Sequence, residues 1–182
     1  MYYYQSAKMT RGVRVIENLA MRDGDMDKRF IELAVEKYSR MLFRICFAIL
    51  SNKEDAEDAV QDTFIKYYTE APAFGSSEHE KAWLIRVATN ISKNMSRFRA
   101  RHKSLSMEEV AEIGVSDKDY DLFESIMSLP AKYKIVMDLH YIEGYTASEI
   151  SMIIGVNADA VRKRLQTGRN KLKKELERSE EE

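Results

Sequence analysis

The chain has 182 residues, with 29 Lys and Arg against 30 Asp and Glu, and 45% of it is hydrophobic. That suffices for one ordinary domain or two small ones. No apolar run approaches the roughly 20 residues of a membrane-spanning helix, and no charged start leads into an apolar leader, so a cytoplasmic protein is expected.

The only cysteine, Cys46, lies on an apolar helix stripe. It excludes an internal disulfide and reads as a small core residue in a reducing compartment. His79, His102 and His140 are scattered and make no metal constellation. No nucleophile motif or phosphate loop is found, so the expectation is no enzyme, no metal or cofactor, and no small-molecule substrate. The net charge of −1 argues against a nucleic-acid partner until its distribution is considered. Lys93, Arg97, Arg99, Arg101 and Lys103 fall within 93–103 without an acid, whereas 107–124 carries seven acids against Lys118. Segregated charge of this kind points to separate partners for separate surfaces.

Residues 1–26 show little order and read as a flexible N-terminal extension or an over-extended start. From Asp27 to Leu50 a helical stripe runs through Phe30, Leu33, Ala34, Tyr38, Met41, Leu42, Ile45 and Ile49. A second helix is expected from the Ser51-Asn52 break to about Ala71, burying Ala56, Val60, Phe64 and Tyr67. Its first turns carry Glu54, Asp55, Glu57, Asp58 and Asp62. The helix dipole favours acids at that end by about 0.3–1 kcal/mol each, but Asp62 lies two turns in, which suits a docking surface better. Pro72 to Ser77 makes a loop. Ser77 with Glu80 suggests a capping box opening a third helix through Trp83, Leu84, Val87, Ala88, Ile91 and Met95. Its other side shows Lys81, Arg86, Asn90, Lys93, Asn94 and Arg97, a basic face with interspersed amides. Trp83 is either a core anchor or a stacking platform for an unpaired base.

Periodicity lapses over 101–118, which reads as a flexible linker, and returns at Leu122, Phe123, Ile126 and Leu129. Pro130 sits at the next helix start, where its missing N–H costs nothing. Ile135, Val136, Leu139 and Ile142 follow, to a stop at Gly144. Thr146 and Glu149 make a second capping-box pattern ahead of Ile150, Ile153 and Ile154; Gly155 ends that short helix, and Asn157 caps another. Val161, Leu165 and Leu172 then share one stripe, opposite Asp159, Arg162, Lys163, Gln166 and Asn170. Seven Lys or Arg (162, 163, 164, 169, 171, 173, 174) face one acid between 157 and 174. A basic helix held across a glycine turn by a shorter one is a helix-turn-helix reader for the major groove. The expected fold is all-α, two small helical domains at 27–100 and 119–177.

Several stretches, in order, resemble the bacterial RNA polymerase sigma factors. Asp55-Ala-Glu-Asp-Ala-Val-Gln-Asp-Thr-Phe64 is similar to the family's second region, and Ala82-Trp-Leu-Ile-Arg-Val-Ala-Thr-Asn90 to the promoter-reading helix after it. Gly144-Tyr-Thr-Ala-Ser-Glu-Ile150, Ile154-Gly-Val-Asn157 and Val161-Arg-Lys-Arg-Leu165 resemble the fourth region. Only these two regions are found, as in the extracytoplasmic-function (ECF) subgroup. The resemblance implies core RNA polymerase on Asp55, Asp58, Gln61 and Asp62. It implies minus-ten DNA on the 73–80 loop with Phe74, and on Lys81, Arg86, Asn90, Lys93, Asn94 and Arg97. For minus-thirty-five DNA it implies Thr146, Asn157, Arg162, Lys163, Arg164, Gln166 and Arg169, with Arg162, Lys163 and Gln166 on bases and Arg164 and Arg169 nearer phosphates. It also implies an anti-sigma inhibitor. Similar sequences carry Thr where this chain has Ala160, Ser at Lys163, and Arg-Ala at Thr167-Gly168. A stand-alone helix-turn-helix regulator is the alternative function, one that would need neither the acidic second helix nor the basic third.

Overall fold

The computed structural model describes residues 25–98 and 117–179. The sequence assignments on 1–24 and on most of the 101–118 linker lie outside the described residues, as do Arg99, Arg101 and Lys103. The described residues form seven helices: α1 (Asp25–Leu50), α2 (Lys53–Glu70), α3 (Ser77–Phe98), α4 (Asp117–Ser128), α5 (Ala131–Tyr141), α6 (Ala147–Ile154) and α7 (Ala158–Ser179).

Helices α1, α2 and α3 pack on one another as one unit; α4 to α7 form a second around α5. The α1–α2 corner turns at Ser51, whose φ of +49° is left-handed, and Asn52 then caps α2 by accepting from the Asp55 N–H at 2.8 Å. Helix α2 stops because Ala71 precedes Pro72, which disfavours helical backbone for its neighbour; Ala71 is extended, with ψ 130°. Ala56, Ala59, Val60, Thr63, Phe64 and Tyr67 are its buried stripe.

Two expectations fail here. Ser77 does not box with Glu80. Ser76 accepts from the His79 N–H (3.2 Å), and the Glu80 carboxylate is taken by the Tyr38 and Tyr67 hydroxyls. A carboxylate offered two phenols from neighbouring helices has no reason to fold back on its own backbone. Phe30 and Leu33 do not turn inward either: they are 53% and 57% exposed, and Ile31 and Ala34 fill the core at that level.

In the second unit Pro130 occupies the cap position ahead of α5. The Thr146–Glu149 capping box is fully formed, and Gly155 ends α6 in the left-handed region with φ +69°. Asn157 caps α7 through the Ala160 N–H at 2.7 Å. Ile150, Ile153, Ile154, Val161 and Leu165 are buried as expected, and so is Cys46.

The two units also pack against each other, α1 on α5 and α3 on α6. Arg44 of α1 donates from Nε to Oδ1 of buried Asp138 at 3.0 Å and pairs with Glu143. Lys81 reaches Glu143 at 2.8 Å, and Lys134 donates to the Ser51 hydroxyl at 3.2 Å. Two tethered domains are present, and they are closed together.

Candidate polymerase and nucleic-acid interfaces

On α2 the buried stripe leaves Asp58, Gln61 and Asp62 on the outer side, Asp62 exposed and the other two half-buried; Asp55 is half-buried at the capped end. Partial burial, then the neighbouring Asp58 charge, pushes the Asp62 carboxyl above its ordinary range. An acidic strip already strained by like charge gains from a cationic partner surface.

Between α2 and α3 the loop 71–76 lies over an aromatic cluster. Tyr67 stacks on Phe30 (5.5 Å between ring centroids) and on Phe74 (6.2 Å), and Trp83 meets Phe74 edge-on at 5.9 Å. A cleft of about 900 Å³ opens beside Phe30, Tyr67, Phe74 and Glu80. Trp83 is half-buried and lines a second cleft of about 650 Å³, which runs between this loop and Tyr145, Met152 and Ile153 of the other unit.

Along α3, Arg86, Asn90, Asn94 and Arg97 are exposed on one stripe at helical spacing. Three of the cations expected on this face, Arg86 among them, are engaged. Lys81 is half-buried on Glu143, with its ammonium 5.3 Å from the Tyr145 ring centre. Arg86 donates to the Met152 carbonyl at 2.6 Å, and Lys93 to the Ile154 carbonyl at 2.8 Å. Burial, then the charges of Arg164 and Arg97, pulls the Lys93 ammonium below its ordinary range.

On the helix-turn-helix, Thr146 and Asn157 are exposed and spend their side chains on capping. Lys163, Gln166 and Arg169 are exposed; Arg169 donates to the Tyr141 hydroxyl at 3.3 Å, and Arg164 is half-buried. Arg162 is exposed and paired with Asp159 one turn earlier. The acidic candidates thus lie on α2, the minus-ten candidates on α3 and, for Phe74, the loop before it, and the minus-thirty-five candidates on α7 and the caps of α6 and α7.

Against known families, residues 34–102 match Sigma-70 region 2 and residues 121–172 match Sigma-70 region 4. The chain belongs to the sigma-70 family, in its ECF group. It is 27% identical over 175 residues to the ECF RNA polymerase sigma factor SigW of Bacillus subtilis, across 86% of this chain and 92% of that protein. It is 29% identical over 151 residues to SigE of Mycolicibacterium smegmatis, across 76% of this chain and 58% of that protein. In fold it is similar to CnrH in its complex with the cytosolic domain of CnrY (TM-score 0.60, 20% identity, 94% of this chain and 96% of that one). It is also similar to RpoE in its complex with the anti-sigma factor NepR from Bartonella quintana (TM-score 0.61, 20% identity, 82% and 98%). This sigma factor binds core RNA polymerase and promoter DNA and directs promoter-specific transcription initiation. Both regions in one chain leave the stand-alone regulator without support.

Sequence reasoning passed over two features of the sigma factor. One is the cleft lined by Phe30, Tyr67, Phe74 and Glu80, for which the pattern carries no signal beyond aromatic richness. The other is the Arg44–Asp138–Glu143 bridge. It did leave a trace: Arg44 interrupts the apolar run Met41–Phe47, and Asp138 interrupts Ile135–Leu139. Buried opposite charges on two apolar stripes are partners in waiting. Burial, offset in part by Arg44, pushes the Asp138 carboxyl up to about 6, and its Oδ2 has no hydrogen-bond partner among the described residues.

Proposed function

We propose that the sigma factor divides its work among three surfaces, with region 2 at 27–100 and region 4 at 119–177. Asp55, Asp58, Gln61 and Asp62 dock on core polymerase. The cleft under the 71–76 loop takes an unstacked base of the minus-ten element, with Phe74 and the exposed Phe30 offering ring faces; such stacking contributes about 1–3 kcal/mol per base. Asn90 and Asn94 read base edges there, while Lys81, Arg86, Lys93 and Arg97 hold phosphates. Arg162, Lys163 and Gln166 face the minus-thirty-five bases. Thr146, Asn157, Arg164 and Arg169 lie nearer the backbone of the DNA. The protein acts by binding, in the cytoplasm, and carries out no reaction of its own.

The observation that carries this reading is the spatial sorting of charge. Asp58 and Asp62 stand on the outer side of α2, whereas Arg86, Asn90, Asn94 and Arg97 are exposed along one stripe of α3, and Arg162, Lys163, Gln166 and Arg169 are exposed on α7. An anti-sigma protein is a further partner, since both structural neighbours described above are complexes, one of them with a protein named as an anti-sigma factor. The deciding experiment reverses Asp58 and Asp62 to Lys and titrates core polymerase. Affinity is expected to fall at least about thirtyfold, with helical content unchanged because neither side chain is buried. Unchanged affinity in a folded variant removes the docking assignment.

A further inference from the structure

The aromatic cluster beneath the 71–76 loop is joined by a carboxylate. Phe30, Tyr67 and Phe74 lie nearly parallel, with 14° and 9° between neighbouring planes, and Tyr67 is the middle ring of the stack. The cleft of about 900 Å³ beside them has one charged side chain among its described walls, that of Glu80. Glu80 is half-buried in the first turn of α3, where the helix dipole favours negative charge. Its Oε2 accepts from the Tyr38 hydroxyl at 2.7 Å, and its Oε1 accepts from the Tyr67 hydroxyl. Burial, then the hydrogen bond to Glu80, pushes the Tyr67 hydroxyl above its ordinary range, and burial above all does the same for Tyr38. Both stay protonated at neutral pH and donate.

A carboxylate has about four acceptor sites and no donor. The two phenols take one site on each oxygen and hold the group at the edge of the ring stack. Acceptor capacity is left on both oxygens. A tie among three helices needs no charge there, since an amide of the same shape accepts from one phenol and donates to the other. Nor does a phosphate-binding surface gain from an anion. The occupant that gains is a flat, neutral ring with N–H groups on its edge.

We propose that Glu80 sets which base the cleft accepts: one with an exocyclic amino group (adenine, cytosine or guanine) and not thymine. The inference rests on the reading of this cleft as the seat of an unstacked minus-ten base, and adds the side chain that selects it. An unstacked base is read on its Watson–Crick edge. Adenine N6, cytosine N4 and guanine N2 each bring an amino group to that edge, and guanine adds the neighbouring N1–H. Thymine brings one N–H between two carbonyl oxygens, so a carboxylate facing it meets oxygen on either side. Hydrogen bonds to an ionised acceptor are of the stronger kind, and leaving the acceptor unpaired is costly. Discrimination against thymine of at least about tenfold follows.

The test assembles the sigma factor with core polymerase and selects from single-stranded oligonucleotides randomised over the minus-ten element. For the parent, one position is expected to exclude thymine by at least about tenfold. Glu80→Gln keeps the size of the side chain and should admit thymine at that position while the others stay unchanged. Phe74→Ala removes a ring face and keeps the carboxylate, so it should weaken binding of every selected oligonucleotide. A second measurement leaves the protein unaltered. At the selective position the base is replaced by its counterpart without the amino group: purine for adenine, 2-pyrimidinone for cytosine or hypoxanthine for guanine. Affinity should fall at least about tenfold, a loss that Glu80→Gln should abolish. Thymine tolerated throughout by the parent, unchanged selection by folded Glu80→Gln, or full affinity for the amino-free base overturns the role of Glu80 and leaves it a tie among helices. The base-capture reading survives that result if Phe74→Ala still weakens binding, and falls with it if Phe74→Ala binds as the parent does.

Discussion

Arg162 and Lys163 are neighbours on the exposed side of α7, and the structure separates their circumstances. Arg162 is held by Asp159 one turn earlier, which fixes the guanidinium near the start of the helix, where recognition helices meet base edges. Lys163 is exposed on the adjoining side, where a long flexible ammonium finds backbone phosphate. Arg162→Ala is expected to relax preference at one promoter position, by about 1–3 kcal/mol of discrimination. Lys163→Ala should leave the selected sequence alone and make the plot of log affinity against log salt shallower by about 0.9. Selection from a randomised minus-thirty-five library at two salt concentrations checks both. A shift in selected sequence with Lys163→Ala, at constant slope, would make this lysine a base reader. The exposure of both residues was legible from helical periodicity. The Asp159 pairing was not singled out, although the i, i+3 spacing was there to be read.

At the scale of the element, α7 carries an anomaly that only packing explains. Gly168 lies inside the helix, at a cost of about 1 kcal/mol relative to Ala. It continues the buried stripe of Val161 and Leu165, and a Cβ there would come within 2.9 Å of Sδ and 3.0 Å of Cγ of Met137, itself buried in α5. The glycine lets α5 and α7 approach closely. Gly168→Ala is therefore expected to lose stability by about 1 kcal/mol net, the overpacking (about 1–3 kcal/mol) outweighing the gain in propensity. Combining it with Met137→Ala should cost less than the two single changes added, which urea unfolding of all three variants would show. A net gain from Gly168→Ala alone would mean that Met137 moves aside freely. The caps, by contrast, were readable without a partner. Thr146 with Glu149, and Asn157, satisfy backbone groups within three residues, so local sequence suffices. Ser77 with Glu80 had the same spacing and failed, because Tyr38 and Tyr67 supplied better donors from α1 and α2.

For the whole molecule, the bridge from Arg44 to Asp138 and Glu143 joins the two units through a nearly dry contact, with Asp138 fully buried. Removing one partner of such a pair strands a charge and costs about 3–5 kcal/mol, while replacing both with apolar groups is often neutral or stabilising. Arg44→Met is expected to shift the free chain toward the open form, where Asp138 regains water. Adding Asp138→Leu should restore closure. Energy transfer between dyes on cysteines introduced at exposed Glu70 and Lys173, one on each unit, reads the difference, and an Arg44→Met chain that stays closed would show that apolar contact between α1 and α5 suffices by itself. Among the described residues no helix is long and apolar enough to cross a membrane.

What the amino-acid order determined alone is what depends on neighbours three or four residues away. Helix periods, the break at Ser51-Asn52, the caps at Thr146 and Asn157, the stop at Gly155 and the acidic and basic faces of single helices were all in view, and family likeness followed from their sequence and spacing. Packing across tens of residues decided the rest. Phe30 and Leu33 were read inward because an apolar pattern gives a face but not which turn of it finds a neighbour. Glu80 was read as a cap because local spacing cannot register two distant phenols. Lys81, Arg86 and Lys93 were read as a free basic face, and closure has given each a partner on the other unit, 50 to 70 positions away. Such pairings depend on where one helix crosses another, a quantity that a periodic pattern does not contain.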